Sequence, residues 1–98
     1  MKLNAYSVYD RKALQYHPPF FASTDGAAVR MLQDLVSDPA SSISRHAGDY
    51  VLFRCGQYDD SNGSLAPCAP LDHVCDALSL LPKSKFSPSD EIALNQVA

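Results

Sequence analysis

Along residues 2–9, Lys2, Asn4, Tyr6 and Val8 fall on one side of an extended segment and Leu3, Ala5, Ser7 and Tyr9 on the other. Both sides carry apolar groups, which suits a strand inside a sheet, or one facing a partner, better than a fully solvated edge. Asp10-Arg11-Lys12 breaks the pattern, and His17-Pro18-Pro19 forces extended or turn geometry before a short apolar segment, Phe20-Phe21-Ala22. The spacing then changes. Ala28, Met31, Leu32 and Leu35 recur at helical intervals with Val36 adjoining, behind the capping candidates Ser23 and Thr24 and the first-turn acid Asp25. Asp38-Pro39 ends this helix, which is expected over roughly 24–37.

After a connector at 40–48, with Ile43 turned back to the core and room for a short helical turn, alternation returns over 49–58. Val51, Phe53 and Cys55 lie on one face of this expected strand, with Tyr50, Leu52, Arg54 and Tyr58 on the other. Asn62-Gly63 within the following polar run suits a tight hairpin, so Ser64 to Ala66 starts a returning strand that Pro67 and Pro70 make irregular or an edge. Residues 72–81 fit a short helix or a broken strand about equally. From Pro82 the chain becomes rich in lysine, serine and proline. We expect one domain over 1–82 and a flexible tail over 83–98, where Ser89-Asp90-Glu91 with Ile92 and Leu94 suggests a short helix formed only on docking. The expected fold is α+β: a small antiparallel sheet of three or four strands in the approximate order β-β-α-β-β, with one main helix packed on one face.

Composition narrows the functional classes. Hydrophobic residues make up 46% and charged residues 19% of the 98, which supports a folded domain with a thin core. A second copy is a natural extra source of stability, so a homodimer is expected. The formal charge of −3 confines any nucleic-acid role to a local patch. No apolar run approaches the roughly 20 residues of a membrane helix, and the N-terminus lacks a signal-peptide pattern. Three cysteines without Cys-x-x-Cys pairing read as reduced thiols in a cytoplasm.

Candidate chemistry is sparse. Cys68, His73 and Cys75 form an incomplete metal cluster without a fourth ligand, so no metal or other cofactor is expected. The run from Asp59 to Gly63 lacks the alternate ligands and later glutamate of a calcium loop and fits a turn instead. With no nucleophile signature, phosphate-cradling glycine loop or paired carboxylates, the chain reads as a non-enzyme and offers no catalytic residue. A richer set is Arg11 and Lys12 beside Tyr6, Tyr9, Tyr16, His17, Phe20 and Phe21, since cations and exposed aromatic faces together hold single-stranded nucleic acid. Arg54, with Tyr58 on its strand, extends this set. Arg11, Lys12, Tyr16, Arg54 and Tyr58 are thus the candidate nucleic-acid-binding residues. Aromatics filling a core beside solvated cations would use the same residues, and on residue chemistry alone that arrangement is the commoner one.

The opening Met1-Lys2-Leu3 strand, Tyr6 to Ala13, Tyr16-His17-Pro18-Pro19-Phe20, Ala27 to Arg30, Asp38-Pro39, Ser42 to His46 and the strand from Asp49 to Asp60 leading to Gly63 together resemble the small nonstructural protein of gokushovirus-type microviruses. The likeness covers roughly residues 1–70. It implies a non-virion accessory protein of a circular single-stranded DNA phage, acting in the host bacterial cytoplasm. DNA binding, and a part in genome replication or the switch to single-strand synthesis and packaging, would follow from it. A protein-interaction module contacting phage or host proteins is the alternative. The resemblance brings no active-site residues with it.

Overall fold

The computed structural model describes residues 1–81, and the strand β1 (Lys2–Asp10) lies at the centre of its sheet. Ala5, Tyr6, Ser7 and Val8 are buried in succession, as a strand with apolar groups on both sides requires. One edge of β1 pairs antiparallel with β4 (Tyr50–Asp59) along its whole length. Its other edge is shared by two short strands, β2 (Gln15–Tyr16) opposite Tyr9 and Asp10, and β3 (Phe20–Ala22) opposite Asn4 to Tyr6. The edge strand β5 (Ser64–Asp76) pairs with β4, completing a five-stranded sheet in the order β2-β1-β4-β5 with β3 beside β2 on β1.

The helix α1 (Asp25–Ser37) crosses one face of the sheet. Thr24 caps it, its hydroxyl oxygen accepting from the Ala27 amide at 3.1 Å, and Ala28, Leu32 and Val36 turn inward. A one-turn helix α2 (Ser42–Arg45) brings Ile43 to the same core, and 3₁₀ turns at Ala47–Asp49 and Ala77–Leu80 flank the 50–76 hairpin. The core is a single layer in which Tyr6, Val8, Tyr50 and Leu52 of the sheet meet Ala28, Leu32 and Val36 of α1.

This architecture overturns the expected three or four strands in the order β-β-α-β-β. Five strands form, three of them before the helix, and the described residues are mostly sheet, 46% strand against 30% helix, with the sheet curled into a half-barrel. Two local causes account for the difference. His17-Pro18-Pro19 interrupts the segment after the first turn, so 15–22 yields two separate pairings on β1 rather than one. The return strand continues through Pro67 and Pro70 because β5 is an edge, where missing amide donors leave no ladder bond to an outer neighbour unmade. Residues 72–76 therefore join β5, and only Ala77–Leu80 coils. The expected tail at 83–98 lies outside the described residues.

Candidate nucleic-acid interface

The face of the sheet opposite α1 carries a row of rings. Along β1, Tyr6 and Val8 point to the helix, so Ser7 and Tyr9 point away from it, and the register places Phe53 opposite Ser7 and Tyr16 opposite Tyr9. His73 of β5 lies opposite Phe53. Ring centroids are 4.5 Å apart for Tyr9 and Tyr16, 5.9 Å for Tyr16 and Phe53, and 6.0 Å for Phe53 and His73. The contacts therefore link rings of β1, β2, β4 and β5 in one series, with Tyr16 of β2 meeting Phe53 of β4 directly. Beneath it Ser7 and Val51 are small and buried, and the Ser7 hydroxyl donates to the His17 carbonyl at 2.7 Å, which holds the 17–19 segment beside the row. Tyr16 stays 46% exposed, and Tyr9 and Phe53 are half-buried.

Two charged groups border this row, Asp76 and Arg11. Asp76 stands opposite Val51, on the same face. Its carboxylate accepts 3.1 Å from His73 Nε2 and lies 3.7 Å from the Arg11 guanidinium. Arg11 also donates to the Gly48 carbonyl at 2.9 Å, and its amide donates to the Asp49 carbonyl, so the side chain is held at the end of the row.

A second ring pair occupies the far end of the same face. Phe21, opposite Ala5, meets Tyr58, opposite Leu3, with centroids 5.5 Å apart. Leu65 faces Tyr58 across the hairpin and is 57% exposed.

The five residues singled out from the sequence are therefore not one cluster. Tyr16 lies in the row and Arg11 at its border. Lys12 is exposed in the turn that Asp10 closes by accepting from the Lys12 and Ala13 amides, and it lines a polar depression with His46, Asp49 and Tyr50. Tyr58 belongs to the second pair. Arg54 points to the other face, opposite Tyr6, and donates to Asp72. That contact holds the Asp72 carboxyl below its ordinary value, with the Cys68 thiol, 3.5 Å away, adding to the effect. The expectation that Arg54 and Tyr58 share a face fails because the register against β1 slips between Arg54 and Gly56 and leaves Cys55 as an extra residue. Phe53 and His73 were missed. Phe53 was legible as a member of an alternate face, but its pairing with His73 depends on the register shift between Arg54 and Gly56, where β5 carries extra residues.

The remaining candidate chemistry is quiet. Cys55, Cys68 and Cys75 are free thiols, and burial raises the pKa of Cys55 and Cys75, which favours the unreactive protonated form. Among the described residues no group of three or more His, Cys, Asp or Glu is gathered as a metal would need, and no helix is long and apolar enough to cross a membrane.

Fold and surface together define a small, sheet-rich protein that presents an aromatic row on an open sheet face. The chain belongs to the Phage ORF5 protein family, whose model matches residues 3–80 and so spans β1 through the final 3₁₀ turn. Neither a curated protein nor a solved structure matches it.

Proposed function

We propose that this phage protein is a non-enzymatic accessory factor that holds single-stranded DNA on the row Tyr9, Tyr16, Phe53 and His73. The observation that supports this reading is the continuous series of ring contacts over four strands on a face the helix leaves open. Bases stack on such rings without regard to sequence, each contributing about 1–3 kcal/mol, and Arg11 stands where a phosphate would pass. Lys12, on the adjacent turn, adds positive charge on the approach. In this reading the protein is the small nonstructural protein of a gokushovirus-type microvirus, serving genome replication or the switch to single-strand synthesis and packaging in the host bacterial cytoplasm. Titration of labelled single- and double-stranded oligonucleotides at two salt concentrations tests it. Salt-sensitive binding that prefers the single strand and weakens in an Arg11→Ala, Lys12→Ala variant is expected; absence of binding at low salt would sink the reading.

A second reading rests on the other end of the face. Phe21, Tyr58 and Leu65 form an apolar surface of the kind a protein partner covers, and a second copy of this chain or another phage or host protein would suit it. Light scattering that gives a dimer mass, reduced to the monomer by Leu65→Asp, would support a homodimer through this end.

A further inference from the structure

We propose that Asp76 is a built-in attenuator of the aromatic row, keeping its affinity for single-stranded nucleic acid low by occupying Arg11, the cation that a phosphate would use. The inference rests on the nucleic-acid reading given above and adds to it a regulatory residue. Asp76 is an acidic side chain on the ring-bearing face, set opposite Val51 at the β5 edge of the line Tyr16, Tyr9, Val51. Its carboxylate reaches both His73, which ends the ring row, and Arg11, which borders it. The other anchor of Arg11, the Gly48 carbonyl, is neutral and would leave its charge available. A phosphate approaching the row must therefore compete with Asp76 for Arg11 and meets a negative charge beside His73.

The net charge of −3 acts in the same direction, since it opposes the approach of a polyanion. The Asp76 backbone carbonyl accepts from the Ser79 hydroxyl at 2.7 Å, a contact that an amide side chain leaves in place. Asp76→Asn thus removes the charge while keeping the local turn.

The test compares wild type, Asp76→Asn and Asp34→Asn in titrations with an oligodeoxythymidine of about 15 nucleotides across a salt series, with circular dichroism to verify folding. Asp34 lies exposed on α1, on the far side of the sheet, and its replacement changes net charge by the same amount. We expect Asp76→Asn to bind roughly fivefold tighter at low salt, with a salt slope steeper by about 0.7, the value for one additional phosphate contact on a single strand. Asp34→Asn should stay near wild type. Equal tightening by both variants, or no tightening by Asp76→Asn, overturns the attenuator role while leaving the binding face intact. If none of the three proteins binds, the nucleic-acid reading and the attenuator fall together.

Discussion

Phe53 and Tyr58 stand on the same face of β4 although their positions differ by an odd number. Regular alternation would put them on opposite faces; the extra residue Cys55 reverses the phase, so Phe53 lies opposite Ser7 and Tyr58 opposite Leu3. The bulge thereby gives the helix-free face a ring on either side of it, while Arg54 is turned to the helix side.

Beside the bulge, Gly56 lies close against β5. A Cβ built there would lie 2.6 Å from the Ala66 carbonyl oxygen, a backbone atom that cannot move aside without disturbing the β4–β5 ladder. Gly56→Ala should lower the unfolding free energy by about 1–3 kcal/mol, measured by urea denaturation. A neutral substitution would mean that the two strands are free to separate there.

Tyr16 and Arg54 were equal candidates in the sequence, and their positions now separate them. Tyr16→Ala removes an exposed ring from the row and should weaken single-strand binding by about 1–3 kcal/mol in fluorescence anisotropy. Arg54→Ala, on the opposite face and engaged with Asp72, should leave that affinity unchanged. The reverse ranking would move the binding surface to the helix side.

Tyr6 links stability to alkaline pH. Its buried phenol donates to Asp25 at 2.6 Å and accepts from Asn4 at 3.0 Å, and burial first, then the Asp25 contact, raises its pKa above the ordinary 10.0. A proton held more tightly in the folded chain stabilises the fold below the unfolded pKa, and the benefit is lost as pH rises through the folded one. Wild-type stability should therefore decline above about pH 10. Tyr6→Phe should cost about 1 kcal/mol at neutral pH and flatten that alkaline decline, as thermal unfolding across pH would record.

Much of the scaffold was readable because local rules governed it. Thr24 and Asp38-Pro39 bounded α1 to within a residue, both sides of β1 were recognised as apolar, and Asn62-Gly63 lay in the turn between β4 and β5. What escaped was set by pairing between distant segments. The two short strands on either side of Pro18-Pro19 acquire their identity only from the free edge of β1, and β5 persists through its prolines only because nothing pairs outside it. The candidate site suffered most from this. Rings near Arg11 and Lys12 were visible as composition, but Tyr6 and Phe20 turned inward to stack at 5.8 Å on the helix side, whereas Phe53 and His73 joined the open row through a register no local pattern encodes.

The most direct measurement is an NMR titration of the isotopically labelled chain with oligodeoxythymidine, following aromatic and backbone signals together. Progressive shifts concentrated at Tyr9, Tyr16, Val51, Phe53 and His73, with Ala28, Leu32 and Val36 of α1 unmoved, are the predicted result. Spectra that do not change at millimolar DNA, or shifts centred on the helix side, would contradict the account.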